Sequence, residues 1–401
     1  MHFISRIILS KKEESNMRCS RLQKMISICI LCFLCFFTVG CWNRKEIETL
    51  SFVIAVGIDP SESGYLVSTQ VANTAALTKE GVKNAPNFFV YSTPGKTIFD
   101  AIRDATHNSP NKLFWSHTKV LIISEKTARK GLMPVLEFFA RDAEERRNFL
   151  LVITPQQAKD IIKTDVKTTL IPSMTLHQLL EGYKVSSQTA YINLNDFLRD
   201  HHGTTCPLIP VVHLVKNQGG KQGFAVSKAA IIKGDKFISY LTPRETRGAF
   251  WVQEKVKSGI LETRCLNQST KDRIAFEIFK AESKIKAEKR YGKFVITVQI
   301  KEKGSIAEAS CLKNEIYPIK IKEVEKLKKE AITKEIEVAL EKAQKLNTDI
   351  FGFGEVIHRS YPKEWKKIEK NWDEIFPELQ VNIKVESKIT NNTLIQRKEQ
   401  K

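Results

Sequence analysis

An uncharged apolar run, Met25 to Val39, ends at Gly40-Cys41 and follows Arg18, Arg21 and Lys24. A basic start, a short apolar middle and a small residue before a cut site are the parts of an export signal. The run is shorter than the roughly 20 apolar residues that a comfortable membrane span needs. A cysteine directly after Gly40 predicts a lipoprotein signal, in which the thiol is diacylated and the chain is cut just before it. Two or more acyl chains anchor a protein stably, whereas one is marginal. Cys41 is therefore the candidate lipid-attachment residue, with this covalent lipid the only cofactor expected. Everything after it is expected to be exported and held at the outer face of a membrane. Thr38 and Val39 depart from the usual box, which has Leu at the first place and a small residue at the second. An uncleaved signal anchor and cleavage elsewhere are the competing readings. Met17 begins a second, cleaner signal, to which residues 1–16 add nothing.

With 401 residues, the part beyond the signal is long enough for two or three domains with real cores. The net charge of +19 favours nucleic acid, anionic lipid or acidic partners. An exported chain does not meet nucleic acid, so adhesion to an anionic membrane surface is the simpler use, beside plain solvation. Beyond Cys41 only Cys206, Cys265 and Cys311 remain, an odd number at irregular spacing. That leaves room for one bridge and argues against a disulfide framework.

Phe52–Ile58 reads as a buried-type strand that turns at Asp59-Pro60-Ser61 into a second strand near Tyr65–Val71. Thr97 can cap a helix with Ile98, Ala101, Ile102 and Ala105 on one face. Strands at Lys119–Ser124 and Phe149–Thr154 alternate with helices from Glu125 to Gly131, from Pro134, and over Pro155–Ile162. Strands alternating with helices argue for mixed α/β layers. Residues 172–200 read as helical. The turn-rich 201–225 reads as a linker. Beyond it come a hairpin across Lys233-Gly234-Asp235 and a helix opened by Pro243. Strands follow at Ile274–Ile285 and Lys293–Lys301, joined through Arg290-Tyr291-Gly292, and a short one at Tyr317–Ile321. The longest helix, 323–346, has Leu327, Ala331, Ile332, Ile336, Leu340 and Ala343 on one face. A helix from Pro362 carries Trp365, Ile368, Trp372 and Ile375, a stripe read as core rather than as a docking face. Val381, Ile383 and Val385 alternate as a half-buried strand. The expected division is 1–40 signal, 41–200 and 226–390 α/β regions, 201–225 linker and 391–401 flexible tail.

The chain has no GxSxG, HExxH, GxxxxGK[ST] or dinucleotide GxGxxG pattern. Gly352-Phe353-Gly354 lacks the third glycine and reads as a tight turn. His201, His202 and Cys206, with Asp200, are the one cluster with metal-type donors, but they lack paired ligand spacing, so no metal is expected. The mixed-charge run Arg141, Asp142, Glu144, Glu145, Arg146 and Arg147 reads as a solvated helix end first and a docking patch second. No catalytic residues are expected, and the chain reads as a non-enzyme.

The segment Cys41-Trp42-Asn43-Arg44-Lys45-Glu46-Ile47-Glu48-Thr49-Leu50, followed by Ala55-Val56-Gly57-Ile58-Asp59, resembles the start of mature Ger(x)C lipoproteins. The likeness continues through His117-Thr118-Lys119-Val120, Gly131-Leu132 and Phe139-Ala140-Arg141-Asp142. It resumes at Leu241-Thr242-Pro243-Arg244-Glu245-Thr246-Arg247-Gly248. It closes with Asp349-Ile350-Phe351-Gly352-Phe353-Gly354, Trp365, and Trp372 to Phe376-Pro377. The family comprises the C subunits of nutrient germinant receptors in spores. The resemblance implies a multi-domain protein of three compact α/β subdomains, sheets with packed helices, on the outer face of the spore inner membrane. It implies two integral membrane partner subunits, one transporter-like, with the nutrient bound by a partner. Trp42, Arg44, Glu46, Arg141, Asp142 and Arg247 are then candidate docking residues. The rival reading is a lipid-anchored solute-binding protein of a transporter.

Overall fold

Strands β5 (Val120–Ser124) and β6 (Leu150–Thr154) are buried at every residue. Such a run alternates between two cores. Leu121, Ile123, Leu151 and Ile153 face one cluster, and Val120, Ile122, Leu150 and Val152 face the other. A strand covered on both faces belongs in the middle of a sheet with helices on both sides. The computed structural model describes residues 25, 50–74, 76, 85–141, 147–166, 168–216, 219–265, 272–310 and 321–391.

β1 (Leu50–Pro60) runs parallel to β5, β5 to β6, and β6 to β7 (Leu208–Lys216). Antiparallel strands extend both edges: β2 (Tyr65–Ala72) and β3 (Phe88–Gly95) beyond β1, and β8 (Gln222–Lys233) and β9 (Lys236–Leu241) beyond β7. With β4 (Lys112–Phe114) paired to β1, this is a nine-stranded sheet. Helices Ile98–Asn108, Met133–Arg141 and Leu194–His202 supply buried residues to one core. Ala158–Lys163 and Pro172–Glu181 supply the other.

The second sheet has the order β10 (Gly259–Arg264), β11 (Arg273–Arg290), β12 (Lys293–Ala309), β13 (Gln380–Asn391). β12 and β13 are parallel and the other neighbours antiparallel. The helix Ile321–Lys345 lays Val324, Ile332, Ile336, Ala339 and Ala343 into this core. Trp365 and Trp372 are buried in the same core in an edge-to-face pair 5.3 Å apart. The molecule is thus a mixed α/β protein of two sheets with packed helices.

Several local expectations change. Residues 201–225 contain β7 and the start of β8, both part of the large sheet. The helical reading of 172–200 breaks into Pro172–Glu181, Tyr183–Ser186 and Leu194–His202. Gly352-Phe353-Gly354 opens the helix Phe353–Ser360 instead of forming a turn alone, because the Asp349 carboxylate caps its first N–H groups. The helix from Pro362 stops at Ile368, and Trp372 starts a separate short one. Of the expected strand Tyr317–Ile321, Ile321 begins the long helix and the rest lies outside the described residues.

Candidate functional site

Three stretches singled out in the sequence become braces between distant segments. In the first, the buried Asp59 carboxylate at the end of β1 accepts the N–H groups of Ala158 and Lys159, each at 2.8 Å. It caps the helix Ala158–Lys163 from a strand about a hundred residues earlier. Burial raises its pKa, against the pull of those two donors.

In the second, the helix Pro243–Val252 opens with a capping box, Thr242 and Glu245 satisfying each other's backbone N–H. Lys342 of the long helix pairs with Glu245 at 2.8 Å. One turn on, Arg247 is 4% exposed and forks onto Glu335, Nε to Oε2 at 2.9 Å and an Nη to Oε1 at 2.6 Å. Its other Nη donates to the Ile260 carbonyl at 2.6 Å, and Trp251 Nε1 donates to Glu335 at 3.0 Å. The two helices come together at Gly248, where a Cβ would overlap the Glu335 carbonyl oxygen. Arg247, a docking candidate from the sequence, is buried in this junction and offers no surface. Glu335, Lys328 and Glu302 escaped notice in the sequence. Lys328 and Glu302 form a fully buried ion pair at 2.7 Å between the long helix and β12. For Lys328 and Glu335 the signal was available, since both lie on the stripe of 324, 332 and 339 that the helix buries.

In the third, Asp349 Oδ1 accepts from the N–H groups of Phe351, Gly352 and Phe353, and Oδ2 from Gly354. Burial pushes this carboxyl up to about 6, although all four donors favour its charged form. Gly352 sits at φ 75°, a left-handed conformation that a side chain would strain. Around this turn Asp349 O accepts from Cys206 N–H, and Glu355 Oε1 accepts from Thr204 N–H.

A cavity of about 260 Å³ lies beside that turn, lined by His201, Thr204, Cys206, Lys233, Asp349 and Trp372 among others. Lys233 and Asp373 of the lining pair at 3.0 Å. The metal-type donors do not converge there. His201 Nδ1 meets the Gly234 carbonyl at 3.0 Å, and His202 Nδ1 meets the Leu198 carbonyl. Cys206 is a free thiol pushed up to about 12, chiefly by burial, so it holds its proton at neutral pH. Among the described residues no group of three or more His, Cys, Asp or Glu side chains is placed to hold a metal ion. Cys265 is disulfide-bonded, and its partner lies outside the described residues.

Of the remaining candidates, Cys41, Trp42, Arg44, Glu46 and Asp142 lie outside the described residues. Arg141 is exposed at the end of its helix and pairs with Glu137 at 3.5 Å. An Arg147 Nη donates to the Ala140 carbonyl at 2.5 Å. Among the described residues no helix is long and apolar enough to cross a membrane.

Two family descriptions match the chain: "Spore germination protein N-terminal domain" over residues 43–214, and "Spore germination B3/ GerAC like, C-terminal" over residues 227–393. Spore germination protein KC of Bacillus subtilis (strain 168) is 28% identical, over 92% of this chain and 97% of its own length. Spore germination protein B3 of the same organism is 26% identical, over 90% and 96%. The crystal structure of the GerBC protein superposes with a TM-score of 0.55 at 24% identity, covering 86% of this chain and 100% of that one, which shows a shared fold.

Proposed function

The chain belongs to the GerAC-like family of spore germination proteins, and on that premise we propose that it is a non-enzymatic, lipid-anchored subunit of a nutrient germinant receptor. The observation that carries this reading is the order of the parts. A signal ending at Cys41 precedes two family segments, matched in sequence over 43–214 and 227–393. Cys41 carries the lipid and fixes the chain to the outer face of the spore inner membrane. The body contacts integral membrane subunits, one of them transporter-like, and couples nutrient sensing there to germination. Trp42, Arg44 and Glu46 then lie at the lipid surface, and Arg141, at an exposed helix end, serves for docking together with Asp142, the next residue in the sequence. The two sheets differ in strand number and order. That argues against the solute-binding reading, which calls for two similar doubly wound lobes around a cleft.

The test has two arms. Cys41→Ala is expected to move the protein from the spore membrane fraction into the soluble one and to slow nutrient-triggered germination. Full membrane retention would overturn the anchor. Affinity purification of the tagged protein from solubilised spore membranes is expected to recover two polytopic subunits. Recovery of a permease with an ATPase would establish the transporter reading instead.

A further inference from the structure

Among the described residues β13 is an edge strand whose outer hydrogen-bonding row is fastened only at its ends. The long helix runs antiparallel beside it. At one end Gln344 Nε2 donates to the Leu379 carbonyl at 2.9 Å, and at the other Ile389 N–H donates to Glu325 Oε1 at 2.9 Å. Backbone groups of a strand alternate between its two edges with period two. Leu379 and Ile389 both point outward, so the outward row between them is Val381, Ile383, Val385 and Ser387. No hydrogen bond on this outer edge fills the row among the described residues. A groove of about 660 Å³ opens beside the first half of that row, between Thr333, Glu337 and Leu340 of the helix and Val381 to Lys384 of the strand. An edge strand beside a helix, with an open groove between them, can accept one more strand.

The charges on the strand select which strand. Lys384, Glu386 and Lys388 alternate in sign on the exposed face. Charged residues usually keep an edge from pairing, because like charges meet across the new ladder. An antiparallel copy of β13 centred on Val385 does the opposite. It places Lys384 against Glu386 of the second copy and Glu386 against Lys384 of the second copy. On the core-facing side it sets Val385 against its own equivalent and Ile383 against Ser387 of the second copy. Centring on Lys384 or on Glu386 opposes like charges. Centring on Ser387 opposes Glu386 to Lys388 but sets Ile389, whose N–H already donates to Glu325, against Val385 next to the axis, whereas centring on Val385 meets Ile389 only at the end of the ladder.

We propose that β13 is a homodimer interface, in which two copies of this chain pair antiparallel through a two-fold axis at Val385 and join their four-stranded sheets into one. The interface is isologous, as a two-fold requires.

The experiment is sedimentation equilibrium of the full chain in detergent, with Lys384→Glu, Glu386→Lys and the double exchange. Both side chains are exposed, so the fold is expected to keep its melting temperature. The wild type is expected to dimerise. Each single exchange turns both opposite-charge pairs into like pairs and is expected to weaken the dimer about tenfold. The double exchange restores the pairing and is expected to restore the dimer. A wild-type chain that stays monomeric up to tens of micromolar overturns the proposal. So does a dimer unmoved by the single exchanges, or a double exchange as weak as the singles. A monomer that instead takes an extended peptide along β13 also overturns it, and gives the groove to a different partner.

Discussion

Glu335 accepts three hydrogen bonds, two from Arg247 and one from Trp251, in a place with almost no water. A buried ion pair gains little over a well-packed apolar pair, but removing one partner strands the other charge. Glu335→Gln keeps the shape, offers one carbonyl oxygen and turns an NH₂ toward a guanidinium. The expected loss is about 3–5 kcal/mol of unfolding free energy, read from the urea midpoint at unchanged slope. A loss under about 1 kcal/mol would mean that water or a rotamer change satisfies Arg247, since exposed pairs are worth no more than that. In the sequence Arg247 stands in a recognisable stretch while Glu335 is one acid among many on a charged helix. Only its place on the buried stripe marks it. Asp349 stands in a recognisable stretch too, but its capping role is not legible there. Its role depends on four backbone N–H groups converging in space, which neither composition nor spacing records.

The β11–β12 hairpin turns on two residues, Tyr291 at φ 48° and Gly292 at φ 80°. Both central positions are left-handed, as the type I′ hairpin turn requires. Glycine adopts this freely and asparagine adopts it readily, while a tyrosine is strained. Tyr291 is also fully exposed, so packing does not compensate. Tyr291→Asn is therefore expected to stabilise the fold by about 1 kcal/mol, seen as a higher melting temperature. A lower one would show that the ring makes a contact that matters to the fold. Periodicity and turn residues made the Thr97 cap, the Gly234 hairpin turn, the long helix and the alternating β13 legible in the sequence. β10, with Glu262 and Arg264 exposed and Leu261 its one buried large apolar side chain, lacks the apolar run that makes β5 and β6 legible. β7 carries Pro210 at an irregularity in its pairing with β8, and that proline read as part of a loop.

The described residues from 51 onward form one compact unit, although two sheets build it. The chain passes from β7 to β8 through 217–221, the place where a linker is easiest to draw from the turn-rich sequence. β7 and β8 are paired along most of their length, from Leu208 with Ile231 to Lys216 with Gln222. Strand β8 also divides its side chains between cores. Ala230 and Ile232 sit with Val56, Leu121 and Phe197, whereas Ala229 and Ile231 sit with Trp251 and Ile296. A cut between 216 and 222 would strip the β8–β9 hairpin of its partner strand and expose Ala230, Ile232 and Phe237 on the later fragment. Separately expressed 51–216 and 219–391 are therefore expected to aggregate or to lack a cooperative melt. The uncut 51–391 is expected to melt in a single transition by near- and far-ultraviolet circular dichroism. A monomeric 219–391 that melts cooperatively at the temperature of the longer chain would refute this and make the second sheet an autonomous domain. The distinction bears on the proposed receptor role. A partner gripping the helix end at Arg141 and a strand docked on β13 would then act on separate bodies, whereas a β8 shared between the two cores ties both to one body.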